Sequence, residues 1–204
     1  MESSDIAIKA EFAALLDCMP ILEEPFNQAA LQIYASIAIS GTAGVADVAA
    51  KVGLGTAALS DFLDQLPGVY RDDGGNVIGF WGLTAKPVSR HVVVIDGKER
   101  YAWCAWDTLF LPRLLGKTLT VRSRCPKTEQ PIELTVDAER VLDASPSEIV
   151  LSMVVPDKSA FQSDVVSNFC HHIHFFPDAE TGRAWATERN DVQILSLERA
   201  FALG

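Results

Sequence analysis

The chain has 204 residues, of which 49% are hydrophobic and 22% charged, and carries a formal net charge of −10. That balance excludes a disordered or low-complexity chain, and the shortage of Lys and Arg argues against nucleic acid or an anionic membrane surface as partner. At this length roughly 70% of the unfolded chain's surface can be buried, so folding requires neither a disulfide nor a structural metal.

From the N-terminus, residues 6–16 repeat apolar residues at helical spacing (Ile8, Phe12, Leu15, Leu16), and residues 27–39 do so again before Gly41-Thr42 ends the run. Residues 45–52 read as a short helix closed by Gly53. A further helix spans 56–66, with Thr56 as its cap and Pro67-Gly68 as its stop. Residues 69–71 and 77–81 flank the turn Asp72-Asp73-Gly74-Gly75 and predict a hairpin. Helices followed by a hairpin give the order of a winged helix. The helix that would enter a DNA groove carries Asp61 and Asp64 and no Lys or Arg, and the wing tip carries Asp72 and Asp73. Both would repel phosphate, so a structural or interaction module is the better reading.

Texture and charge change near Pro87. Residues 1–85 carry three Lys/Arg against eleven Asp/Glu, a net of −8, whereas residues 86–204 have a net of −2. The expected organisation is therefore an N-terminal, winged-helix-like helical domain over 1–85 and a second domain over 86–204. In the second, 88–95 and 98–103 form a hairpin about Asp96-Gly97. A helix is expected over 104–115, ended by Gly116. Strands are expected over 118–124, 132–136 and 149–154, and a helix over 163–171 capped by Ser163. A brief extended segment at 173–176 and helices over 179–187 and 192–203 close the chain. The fold class is α+β, with a mixed or antiparallel sheet flanked by helices.

The longest apolar runs, such as 33–39, fall well short of the roughly 20 residues of a membrane span. The N-terminal stretch Met1-Glu-Ser-Ser-Asp5 lacks the basic n-region of a secretory signal. Both features point to a cytoplasmic protein. Its four cysteines (Cys18, Cys104, Cys125, Cys170) are far apart and contain no C-x-x-C pair, so in a reducing compartment they are free thiols.

Two stretches concentrate chemistry. If a helix begins at Cys104, the sequence Cys104-Ala-Trp-Asp107 puts a thiol and a carboxyl on one face. A first-turn position would also lower the thiol pKa. Taken alone, a C-x-x-D is more often a buried Cys beside a solvated Asp. The second stretch, Cys170-His171-His172-Ile173-His174, reads either as zinc or copper ligands or as polar residues along a strand edge, with His172 and His174 on one face if extended. Cys125, in Ser123-Arg-Cys125-Pro126, reads as a buried spacer, and Cys18 as incidental. Two thiolates suit a soft cation, and an acid beside them can protonate a carbon bound to that cation.

Three segments in order, Tyr101-Ala-Trp-Cys104-Ala-Trp-Asp107-Thr-Leu-Phe-Leu-Pro112, Ser123-Arg-Cys125-Pro126 and Ser167-Asn-Phe-Cys170-His-His-Ile-His-Phe-Phe176, make the chain resemble the organomercurial lyase (alkylmercury lyase) family over most of residues 20–200. The resemblance implies protonolysis of the carbon–mercury bond of alkyl- and arylmercury compounds, giving hydrocarbon and Hg(II). Cys104 and Cys170 would bind mercury and Asp107 would deliver the proton. Cys125 matches a family cysteine regarded as structural. No cofactor is implied, and mercuric reductase or small thiols would take the Hg(II). The N-terminal part resembles a winged helix that does not bind DNA. Position 171 is His where several family members carry a second adjacent Cys, and the first 20 residues match poorly. Two other readings use the same residues. One is a non-catalytic soft-metal-binding or metal-sensing protein employing the His cluster. The other is a Cys-dependent hydrolase with Cys104 as nucleophile and a histidine as base.

Overall fold

A computed structural model describes residues 12–155, 157–187, 189 and 191–204. The first expected helix, 6–16, lies outside the described residues up to position 11; its last turn is present as α1 (Ala13–Leu16). Helix α2 (Phe26–Ser40) buries Ala29, Ala30, Ile33, Tyr34, Ile37 and Ala38, a stripe at three- and four-residue spacing, and ends on Gly41 in the left-handed conformation. Helices α3 (Val45–Val52) and α4 (Thr56–Asp64) follow. Thr56 is the first helical residue of α4 rather than its cap, which is Gly55.

The hairpin β1 (Val69–Arg71) and β2 (Val77–Phe80) opens an eight-stranded sheet that continues through β3 (Leu83–Thr84), β4 (His91–Ile95), β5 (Lys98–Ala102), β6 (Leu119–Arg124), β7 (Pro131–Val136) and β8 (Val141–Ser145). Its spatial order is β1-β2-β3-β5-β4-β6-β7-β8, antiparallel at every described pairing. At the β4–β5 turn both Asp96 (φ 50) and Gly97 (φ 76) have positive φ, as a two-residue type I′ turn demands. Strand β6 buries Leu119, Val121 and Ser123 and exposes the residues between them, the period of two that made it legible. Helix α5 (Asp107–Leu115) packs near β7 and ends on Gly116 (φ 60).

A second sheet has the order β10-β9-β11, with β9 (Val150–Val154) central and buried at every position. Strand β10 (Phe175–Phe176) and strand β11 (Val192–Ser196) flank it. Here the expected helix over 192–203 is corrected. Its first five residues pair with β9, Ile194 opposite Ser152, and only α9 (Leu197–Leu203) is helical. Ser196 caps α9, its Oγ accepting from the Arg199 N–H at 3.3 Å. A five-residue segment with apolar residues at 192, 194 and 195 is ambiguous between helix and strand, and pairing with β9 decides it.

The expected helix over 163–171 is likewise three pieces. These are α6 (Lys158–Ser163), α7 (Val165–Asn168) and a 3-10 turn over Cys170–His172. Asp164, not Ser163, is the cap, and its Oδ1 accepts from Val166 and Ser167 N–H at 3.1 and 3.0 Å. Helix α8 (Ala179–Ala186) packs on β9 and β11. No helix among the described residues is long and apolar enough to cross a membrane.

Candidate active site

Cys104 sits where β5 gives way to α5. The chain leaves the sheet at Ala102, turns through residues 103–106 and enters α5 at Asp107. Cys104 therefore precedes the helix instead of opening it, which corrects the expected helical start. Proximity of thiol and carboxyl survives by another route: the Cys104 N–H donates to Asp107 Oδ2 at 2.8 Å, and the Thr108 hydroxyl closes the turn on Ala105 O at 2.7 Å. Cys170 arrives from the other direction, in the 3-10 turn after α7. A main-chain hydrogen bond joins the two segments, Ala105 N–H to Ile173 O at 3.2 Å. One ligating atom from each of Cys104, Asp107 and Cys170 lies within 4.8 Å of the others, and all three residues are buried.

Burial sets the protonation states. It pushes the Asp107 carboxyl up to about 6, against hydrogen bonds from Cys104 and Trp103 that favour the carboxylate. The Cys104 thiol is driven well above its ordinary value by burial, by its hydrogen bond to Cys170 and by the neighbouring Asp107 charge. At Cys170 the hydrogen bond from Cys104 favours the thiolate, but burial with the Asp107 and Asp164 charges outweighs it, and this thiol is also raised. The expected lowering of Cys104 by a helix N-terminus is thus reversed. The thiol lies outside the helical turn and wholly out of water, where the charged form is penalised. Two neutral thiols face a carboxyl that changes charge near pH 6.

The surroundings are apolar. Met19, Trp81, Trp103, Trp106, Phe110, Phe161, Val165 and Phe169 line a partly open pocket of about 20 Å³ beside Asp107 and Cys170. Trp106 is pinned by its indole N–H to Ala200 O at 3.1 Å and meets Phe169 edge-on at 6.0 Å. Such an apolar lining strengthens electrostatic interactions beside it and suits a hydrocarbon group.

Gly82 is a site residue that sequence reasoning missed. Phe80 pairs with Leu83, so Trp81-Gly82 forms a two-residue turn with both φ positive, 34° and 92°. A Cβ on Gly82 would meet Asp107 Cγ at 2.7 Å and Oδ1 at 2.8 Å. The Tyr34 hydroxyl of α2 donates to Trp81 O at 2.8 Å and fixes this turn from the N-terminal side. The only sequence signal was a glycine directly after the strand expected over 77–81. Gly82→Ala is expected to destabilise the fold by about 1–3 kcal/mol through its backbone conformation and to displace the carboxyl. A shift of about 1 Å in a reacting group can cost on the order of 100-fold in rate. Denaturant midpoints and single-turnover assays of the variant check both effects.

The histidines do not join the cluster. His172 Nδ1 lies 3.3 Å from Arg189 Nη1, and His174 stacks at 6.4 Å from buried His91 and packs edge-on against Trp185 at 5.3 Å. His171 is exposed. Cys125 is buried at the end of β6, where its N–H and C=O close a turn with Gln130 and Glu129 at 3.0 Å each. Cys18 donates to Ala14 O at 3.2 Å. Neither belongs to the Cys104, Asp107 and Cys170 group.

The family model for alkylmercury lyase (MerB) matches residues 83–204. An alkylmercury lyase of Pseudomonas putida is 43% identical over 142 residues, 70% of this chain and 65% of that protein. One from Staphylococcus epidermidis is 39% identical over 160 residues, 78% of this chain and 72% of that protein. The matched stretch thus spans about two thirds of the Pseudomonas protein. A crystal structure of the mercury-bound form of MerB2 superimposes with a TM-score of 0.74 at 24% identity, covering 97% of this chain and 95% of that one, which shows a shared fold. The identities, the extent of the matches and the family model agree: the chain belongs to the alkylmercury lyase family.

Proposed function

We propose that the chain is an organomercurial lyase that protonates the carbon of a carbon–mercury bond. The observation that carries this reading is the buried triangle of two sulfurs and one carboxyl oxygen within 4.8 Å of one another. Sulfur is the soft ligand that mercury prefers, and the carboxyl is placed to move a proton.

The residues divide the work as follows. An organomercurial R–Hg–X meets one thiol, which binds mercury as X leaves with the thiol proton. The second thiol passes its proton to ionised Asp107 as its sulfur joins the metal. Two sulfurs push electron density onto mercury and make the attached carbon more basic. Asp107 then hands its proton to that carbon, the carbon–mercury bond breaks, and RH departs. The balance is R–Hg–X with two thiols giving RH, HX and mercury held by the two sulfurs, with no change in oxidation state. Raised thiol pKa values suit this order, because the free site is not two repelling anions, and metal binding itself drives the protons off. Asp107 at about 6 is both ionised enough at neutral pH to accept a proton and acidic enough to return it. The small aromatic-walled cavity receives the organic group once its wall moves; Met19, on the loop between α1 and α2, is one part of that wall.

We propose further that the protein is cytoplasmic, needs no organic cofactor, and delivers Hg(II) to small thiols or to a mercuric reductase. In the same proposal residues 1–85 form a winged-helix-like unit with a structural role. The Tyr34 contact with the Trp81-Gly82 turn supports that role, as does the acidic character of α4 and of the β1–β2 turn.

The test is chemical. Purified protein incubated with phenylmercury and excess thiol is expected to release benzene, measured by gas chromatography, in step with loss of phenylmercury. Benzene no higher than in a thiol-only control would reject the reading.

A further inference from the structure

On its other side Cys170 borders a second, polar cleft of about 240 Å³, lined by Val88, Ser89, Arg90, His91, Trp103, His171 and His174. Cys170 and Trp103 thus stand between two chambers of opposite character, one aromatic and one polar. Among the described residues the cleft's lining includes an arginine and three histidines and no acid. Arg90 is partly exposed and is engaged through Nη1, by Glu129 Oε1 at 3.3 Å and Arg124 O at 3.5 Å. The segment carrying it is held in place: Ser89 Oγ donates to Ala102 O and accepts from the His91 N–H at 3.0 Å. Among the described residues, Glu129 is paired to Arg90, the charges of Asp107 and Asp164 both act on Cys170, and that of Asp164 also acts on His171.

From this arrangement we infer that the polar cleft is the docking site for a small carboxylate-bearing thiol that removes Hg(II) from Cys170. The inference rests on the lyase reading for the source of the metal. Mercury held by two buried sulfurs leaves by exchange, not by dissociation as a bare ion, because the approach of a third sulfur replaces each bond as it breaks. A carboxylate-bearing thiol is an anion approaching a protein of net charge −10, so local positive charge on its path governs its encounter rate. Among the described residues the aromatic chamber's lining holds Asp107 and no cationic residue, whereas the polar cleft's holds Arg90, engaged by Glu129 through Nη1 alone. In the first exchange the incoming sulfur bonds to mercury, the bond to Cys170 breaks, and the thiol's proton ends on Cys170. A second thiol repeats the exchange at Cys104. Mercury remains Hg(II) throughout.

The experiment loads the full-length protein with one equivalent of Hg(II) and follows mercury release to three thiols: 3-mercaptopropionate (anionic), 2-mercaptoethanol (neutral) and cysteamine (cationic). Val88 is 55% exposed at the cleft, so changing it spares the core. Val88→Lys is expected to speed release to mercaptopropionate about two- to fivefold, and Val88→Glu and Arg90→Ala to slow it by a similar factor. Release to 2-mercaptoethanol stays constant, and cysteamine shows the opposite order for the two Val88 variants. Added salt shrinks all these differences. Equal shifts for all three thiols, or no shift with any, would overturn the inference. Because loading uses Hg(II) itself, a failure here is separate from a failure of the unmodified protein to make benzene, which bears on the lyase reading alone.

Discussion

Asp107→Asn is expected to yield a protein more stable than the parent at pH 7.5 yet slower in hydrocarbon release by about 10²–10⁴-fold, the range typical of a lost proton donor. The stability half follows from linkage. Burial raises the Asp107 carboxyl from 3.8 to about 6, so between those values the folded state holds a proton that the unfolded state has released. The associated stability is fully present below about pH 4 and is lost as pH rises through about 6. A difference of about two units, at ~1.4 kcal/mol each, puts the loss at about 3 kcal/mol above that window. Asparagine carries no charge to desolvate, and its carbonyl oxygen can still accept the Cys104 N–H. Urea midpoints at pH 5 and pH 7.5 are therefore expected to differ in the parent and to converge in the variant. In the parent, single-turnover benzene release is expected to fall as pH drops through about 6, because Asp107 must begin ionised to take the thiol proton. Full turnover by Asp107→Asn would remove the residue from its proposed role.

Cys170→Ala is expected to lower benzene release by at least about a thousandfold, and Cys104→Ala to do the same, since either leaves mercury with one sulfur and an unactivated carbon. Removing one buried sulfur leaves a small cavity costing about 1 kcal/mol, so the variants remain folded, which far-ultraviolet circular dichroism checks. The single mutants separate the present reading from a hydrolase-like use of Cys104 as nucleophile, in which Cys170 would be dispensable. Cys125→Ala serves as the internal comparison. Its thiol lies outside the cluster, and its activity is expected to stay near that of the parent.

Much of this architecture was readable residue by residue. Gly41, Gly53 and Gly116 stop their helices where a left-handed residue is needed, and Asp96-Gly97 dictates a type I′ hairpin. Alternation in β6 announces a strand with one buried face. Where the sequence misled, either a distant partner or a local cap decided the outcome. Residues 192–196 have enough apolar character for either period, and pairing with β9 makes them a strand. Asp164 breaks the expected helix over 163–171 because its carboxylate satisfies two N–H groups. The strand β8 escaped notice because its pattern, largely exposed, lacks a buried alternate.

The site divides in the same way. That Cys104, Asp107 and Cys170 belong together was expected from the three segments that carry the family resemblance, and their ligating atoms do lie within 4.8 Å of one another, but their protonation was not legible. A helix N-terminus would lower the Cys104 thiol, and only the tertiary cover supplied by residues far along the chain, Phe161 and Phe169 among them, reveals that burial raises it instead. Gly82 has no meaning until Asp107 is seen against it. The histidine run had a metal-ligating appearance in sequence, yet its side chains turn toward Arg189, Trp185 and His91.

The central claim, that two sulfurs and one acid act together on a single carbon–mercury bond, is tested most directly by native mass spectrometry of the protein mixed with one equivalent of phenylmercury in the absence of added thiol. The account predicts a bound species heavier by one mercury atom and lighter by two protons, with no phenyl group. A persistent adduct that retains phenyl and has lost one proton would contradict it.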